Sequence, residues 1–211
     1  MNRSGIRIPR LLLLAFLPVL LAGCGINSIP TKQEKAKAAF ADLQADYQRR
    51  ADLIPNLVST VQAFAQQEHA VLTDVIKARA SATQVTIDPT KLTDPAAMQR
   101  YQAAQNSLSG ALGRLMVISE KYPDLKSNEN FLALQSQLEG TENRITVARR
   151  DYNEAVRDYN TTLRVFPTVF WAKTMYSSAL PMQMFAATES AQTAPTVNFN
   201  LGYTSSAPAT K

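Results

Sequence analysis

Few residues in this chain have types and spacing suited to chemistry. The single histidine, His69, follows Glu68 in "QQEHAVL". A zinc hydrolase helix needs H-E-x-x-H, and a di-iron bundle needs Glu-x-x-His on two helices. One histidine satisfies neither. Paired carboxylates do acid–base work only when they face one cleft, and the acidic residues here are spread out with no convergent pair. Serine and threonine abound, but no G-x-S-x-G elbow, G-x-G-x-x-G turn or Walker loop is present. No catalytic residue, metal ligand set or cofactor is assigned, and no enzymatic activity is expected.

The remaining reactive group is Cys24, the chain's one thiol. It rules out an intramolecular disulfide and any multi-cysteine metal site. Before it come a basic leader, "MNRSGIRIPR", and an uncharged stretch, "LLLLAFLPVLLAG". The stretch is too short to cross about 30 Å of hydrocarbon as a helix. Positive, apolar and then small residues are the order of an export signal. "LAGC", Leu21 to Cys24, resembles the bacterial lipobox, in which the cysteine takes a diacylglyceryl thioether and becomes the new first residue. Residues 1–23 are therefore read as a lipoprotein signal peptide, with the bilayer as partner through acylated Cys24. Gly25, where aspartate would favour inner-membrane retention, resembles an outer-membrane address facing the periplasm. Residues 24–30 read as a tether.

The formal charge of +5 overstates the basic character, because Arg3, Arg7 and Arg10 fall in the leader. What remains is close to neutral, too weak for steering toward a polyanion, and no nucleic-acid partner is expected.

The positions to be filled by elements follow a helical rhythm. Thr31 can cap a helix, with Glu34 as reciprocal partner. From there to about Thr83, Phe40, Leu43, Tyr47, Ile54, Leu57, Val61, Phe64, Val71 and Val75 step by threes and fours, a bundle seam. Pro55 predicts a kink or break near Ile54. Arg50 and Glu68 share the seam, so each is expected at its edge or paired across helices. "TQVTIDPTKLTDPAA" reads as a linker, with Asp94 capping a second helix that starts at Pro95. Its inward positions are Met98, Tyr101, Gln105, Leu108, Leu112, Leu115 and Ile118, and Gly110 and Gly113 could admit a close neighbour. After Pro123, Ser127 or Asn128 can cap a third segment whose stripe runs from Phe131 through Ile145, Tyr152 and Tyr159 to Phe166. The fold class is all-α, an up-and-down antiparallel bundle of three to four long helices over residues 31–187, with a mostly polar tail at 188–211.

Within the third segment, "ENRITVARRDYNEAVRDYNT" puts its tyrosines inward. Arg150, Glu154 and Asp158 lie outward at spacings of four, suited to weak ion pairs. "FPTVFWAKTMYSSALPMQMF" reads as a cap closing the bundle, or as an exposed surface for a partner or a membrane interface. Val197, Phe199 and Leu201 alternate as a strip that could dock on the bundle.

"YQRRADLIPNLVSTVQAFA" (Tyr47 to Ala65) and "YPDLKSNENFLALQSQLEGTENRITVARRDYNEAVRDYNT" (Tyr122 to Thr161), with Phe166–Pro167 and the terminal "APTVNF", resemble the signature of LemA family proteins. The resemblance implies a long-helix bundle outside the cytoplasmic membrane with an N-terminal attachment, and it carries no established catalytic residues. It makes Arg49, Arg50, Asp52, Pro55, Asn56, Asn128, Glu129, Asn130, Glu142, Asn143, Arg144, Asp151, Tyr152 and Asn153 candidates. The charged face and the aromatic segment add Arg150, Arg157, Trp171 and Tyr176 to the candidate interaction surface. The chain departs from many members in having a lipobox in place of a membrane-spanning helix, and Phe40 and Ala51 where tryptophan and tyrosine are common. The expected function is an envelope scaffold or protein-interaction module with an unidentified envelope protein as partner and its oligomeric state open. The alternative is a small-molecule or lipid carrier using a cleft between helices.

Overall fold

A computed structural model describes residues 25–186. Cys24 and the strip at Val197, Phe199 and Leu201 lie outside the described residues. Within them the chain is helical: α1 (Ser28–Phe64), α2 (His69–Gln84), α3 (Pro95–Ser119), a short α4 (Pro123–Lys126), α5 (Glu129–Thr162) and a short α6 (Thr168–Thr174), with a 3₁₀ turn at Pro89–Lys91. At 1.5 Å per residue, the 37 residues of α1 make a rod of about 55 Å.

Pairings fix the topology. Phe40 meets Tyr152, and Arg50 meets Glu142, so α1 and α5 run antiparallel along their whole length. Gln105 reaches Ala82 and Arg114 reaches Asp74, so α2 and α3 are antiparallel as well. Phe40 also meets Tyr101 while Arg50 meets Ser109, which makes α1 and α3 parallel. This is the up-and-down bundle that the heptad-like spacing implies.

Several boundaries differ from the sequence expectation. Asn27, without a side-chain cap bond, precedes α1, so the tether residues Ser28 to Pro30 already belong to the helix and Ile29 is fully buried. Thr31 therefore sits in its first turns, and Glu34 pairs with Lys37 instead of closing a capping box. Pro55 does not break α1. Proline has no N–H for the carbonyl four residues back, and Arg79 of α2 supplies the missing donor, its Nε lying 2.7 Å from the Ala51 carbonyl oxygen. The break falls instead at residues 65–68, which hold neither proline nor glycine. There Tyr122 donates to Glu68 Oε1 and accepts from Gln67, stapling the reversal to the far loop. Glu68 thus leaves the seam. The caps at Asp94, which accepts from the N–H groups of Ala96 and Ala97, and at Asn128, which accepts from Phe131, are formed as expected.

Two apolar clusters fill the bundle. The proximal one, near the start of α1, gathers Phe40, Tyr47, Tyr101, Tyr152 and Tyr159 with Met182 and Phe185. The distal one holds Ile54, Leu57, Val61, Leu108, Leu115 and Leu138. Burying each such side chain contributes about 1.5–3 kcal/mol. Phe166, expected on the inward stripe, is 87% exposed. The helix ends at Thr162, and the following turn swings it outward. Gly110 and Gly113 are exposed and receive no close neighbour: a methyl at Gly113 would meet nothing within 4 Å.

Candidate functional site

Between the two clusters lies a polar layer. Arg50, 1% exposed, donates through Nη1 to Glu142 Oε2 (2.9 Å) and Ser109 Oγ (2.7 Å), and through Nη2 to Gln105 Oε1 (2.9 Å). Gln105 in turn donates to the Ala82 carbonyl. One guanidinium and one amide thereby connect α1, α3, α5 and α2. A buried cation needs a counter-charge and filled hydrogen bonds. The counter-charge is present and both Nη groups are bonded, while Arg50 Nε is left without a partner.

A second arrangement closes the proximal half, where α2 is too short to form the fourth wall. The chain beyond α6 runs extended along α5 and is gripped by a repeat, Asp151-Tyr152-Asn153 and Asp158-Tyr159-Asn160. Tyr152 donates to the Gln183 carbonyl (2.7 Å) and Tyr159 to that of Leu180 (3.3 Å). Asn153 bonds both the carbonyl and the N–H of Phe185, and Asn160 does the same to Met182. Seven helical residues rise about 10.5 Å; three extended residues span about 10 Å. The two rulers therefore match, and one heptad of α5 grips one three-residue step of the strap. Phe185 inserts edge-on to Tyr101 and Tyr152, with the Arg149 guanidinium over its ring.

Burial raises the hydroxyl pKa values of Tyr47, Tyr101, Tyr152 and Tyr159 above the ordinary tyrosine value. The Tyr47 hydroxyl is buried without a hydrogen-bond partner. Its ring helps line a recess of about 310 Å³ between α1, the end of α2 and α3, together with Gln44, Thr83, Tyr101 and Gln105.

The candidate surface residues separate into distinct places. Arg50 is interior, and Glu142, half exposed, is its partner. Asn128 is a helix cap, and Glu129 follows it in the first turn of α5. Trp171 and Tyr176 pack against the proximal cluster. Arg49, Asp52, Asn56, Arg150 and Arg157 are exposed, and Asp52 accepts from Gln48. Arg150 pairs with its neighbour Asp151 rather than with Glu154. Asn143, Arg144 and Asp151 come together. With Asp42, Asp46 and Val147 they line an open groove of about 420 Å³ between α1 and α5. Gly113 and Arg50 share a smaller recess of about 260 Å³ with Glu142. Among the described residues, no group of three or more His, Cys, Asp or Glu side chains is placed to hold a metal ion.

The sequence model of the LemA family matches residues 39–199. The chain belongs to the LemA family. It is 27% identical over 171 residues to the magnetosome protein MamQ of Magnetospirillum gryphiswaldense, covering 74% of this chain and 62% of MamQ. It is 26% identical over 169 residues to MamQ 2 of Paramagnetospirillum magneticum, covering 72% and 61%. To protein LemA of Metamycoplasma hominis it is 22% identical over 142 residues, covering 67% and 61%. The chain thus spans about three fifths of the length of these curated relatives. No described helix of this LemA-family chain is long and apolar enough to cross a membrane.

Sequence reading of this LemA-family member did not single out Asn160, Arg79 or Arg149. A signal for the first was present in the tripeptide Asp-Tyr-Asn, repeated at a spacing of seven. For Arg79 the clue was Pro55, which leaves a carbonyl in need of a donor.

Proposed function

We propose that the protein is a lipid-anchored scaffold of the bacterial cell envelope, held by acylated Cys24 and offering the α1–α5 groove to another envelope protein. The groove carries this reading. Three residues of the LemA signature, Asn143, Arg144 and Asp151, meet there with Asp42 and Asp46 around half-exposed Val147. Three carboxylates against one guanidinium give it an acidic balance, suited to a basic helix or loop with an apolar anchor. The lipobox-like "LAGC" supports the anchor, and Gly25 supports an outer-membrane address. MamQ is named for the magnetosome, and neither relative's name carries a reaction.

A photo-crosslinker at Val147, in cells, is expected to trap one defined protein, while the same group at Val117, exposed on α3, traps none. Equal patterns from the two positions, or none from either, would overturn the scaffold reading. Cys24→Ser is expected to release the chain from salt-washed membranes. A variant that stayed in the pellet would remove the lipid anchor.

The carrier reading rests on the 310 Å³ recess and the unpartnered Tyr47 hydroxyl beside it. Native mass spectrometry of purified protein distinguishes the two, since a carrier retains a small-molecule mass that a scaffold lacks.

A further inference from the structure

The end of the bundle where α1 begins is unlike the rest of its surface. Of the large apolar side chains left in solvent, Val165, Phe166, Phe170, Met175 and Leu180 fall within one short stretch around α6. Phe166 is 87% exposed and Phe170 58%. Exposed apolar side chains gathered in one region mark a contact site. The same stretch, residues 163–186, contains Arg164 and Lys173 and no acidic residue.

The described chain begins at this patch. A methyl built on Gly25 would lie 3.1 Å from Thr168 Cγ2 and 3.8 Å from Trp171 Cδ1, so the start of α1 rests directly on α6. Cys24 is the next residue back. Ile29, one turn on, is fully buried in the proximal cluster against which Trp171 packs. Acyl chains on Cys24 would therefore leave the protein at the edge of the apolar patch, with no free tether between them.

We propose that this face, formed by Phe166, Phe170, Trp171, Met175 and Leu180, is a membrane-contact surface that lies in the headgroup region of the bilayer holding the anchor. The inference rests on acylation of Cys24 and adds an orientation to it. Acyl chains alone fix a point and leave the rod free to pivot. An apolar face beside that point, with aromatic rings suited to headgroup depth and two cations suited to anionic lipid, holds it at a set angle. A second copy or another protein is disfavoured as occupant because Gly25, one residue from the proposed anchor, rests on α6.

Trp171 is the chain's only tryptophan, so it reports on this face without labelling. The mature acylated protein is reconstituted into phosphatidylcholine–phosphatidylglycerol vesicles whose phosphatidylcholine carries bromine on its acyl chains close to the headgroup. Trp171 emission is expected to fall at least twofold relative to unbrominated vesicles, and acrylamide quenching is expected to weaken. Moving the reporter, as Phe166→Trp in a Trp171→Phe background, is expected to give stronger bromine quenching. Phe166→Ser with Phe170→Ser is expected to restore Trp171 emission while the protein still sediments with vesicles. Firm sedimentation with neither tryptophan quenched by bromine overturns this inference and leaves the anchor standing. Blue-shifted emission without bromine quenching assigns the face to protein contact and overturns it equally. A chain that fails to sediment and carries a free Cys24 thiol overturns the anchor, and the orientation with it.

Discussion

Asn153 holds Phe185 by both halves of its amide, with Nδ2 donating to the carbonyl at 3.0 Å and Oδ1 accepting from the N–H at 2.8 Å. A side chain here stands in for a neighbouring β-strand. Asn153→Ala or Asn160→Ala removes two hydrogen bonds, and each is expected to cost about 1–3 kcal/mol. The loss should be local. Hydrogen exchange at the Phe185 or Met182 amide is expected to accelerate strongly while amides of α3 in the distal half keep their protection. Uniform acceleration across both halves would show that the strap is not a separate unit.

Arg79 and Pro55 form a second compensating pair. Arg79→Ala leaves the buried Ala51 carbonyl without a donor and is expected to cost about 1–3 kcal/mol. Pro55→Ala restores the helical N–H, so in that background the same Arg79 change is expected to cost less. Urea unfolding of the four proteins should give a coupling of about 1 kcal/mol. Additive effects would mean that Arg79 acts only by packing.

The Arg50 layer joins all four long helices. Glu142→Ala takes the counter-charge from a guanidinium that is 1% exposed. It is expected to cost about 1.5–3 kcal/mol, the range for hydrogen bonds to charged groups. Arg50→Met with Glu142→Gln removes both charges but leaves Gln105 Oε1 without its donor, so it is expected to recover part of that stability. A double variant no better than Glu142→Ala would contradict this.

Buried tyrosines set an alkaline limit. Unfolded tyrosine loses its proton near about pH 10, while burial keeps Tyr101 and Tyr152 protonated above that point. The unfolded chain then binds fewer protons than the folded one, so stability falls as pH rises beyond about 10. The urea midpoint is expected to stay level from neutral pH to about 9 and to drop above it. Tyr152→Phe, which loses the bond to Gln183, is expected to cost about 0.5–1.5 kcal/mol at neutral pH. Tyr47→Phe, which removes an unpartnered hydroxyl, is expected to be neutral or stabilising. A cost at Tyr47 equal to that at Tyr152 would reveal a hidden partner in the recess.

What the sequence made legible was periodic or local. The stripe from Phe131 to Tyr159 and the Asp94 cap follow from spacing and side-chain chemistry, while the Asn128 cap and the cross-helix pairing of Arg50 are each one of two alternatives that the sequence leaves open. The reversal at residues 65–68 was not legible, because it is held by Tyr122 from a distant loop rather than by a local breaker. Pro55 marks no break for the matching reason: its defect is repaired by Arg79, 24 positions further along the chain. Of the candidates, Asn143, Arg144 and Asp151 share the α1–α5 groove, while Arg50 and Glu142 pair in the polar layer. The groove depends on the α1–α5 register, which helical periodicity leaves open.

Met182 and Phe185 complete the same hydrophobic interior that holds Ile29 and Phe40, at the opposite extreme of the described sequence. The half of the bundle in which α1 begins thus cannot be sealed until Phe185 has been synthesised. The last described segment to be synthesised therefore shuts that half of the bundle.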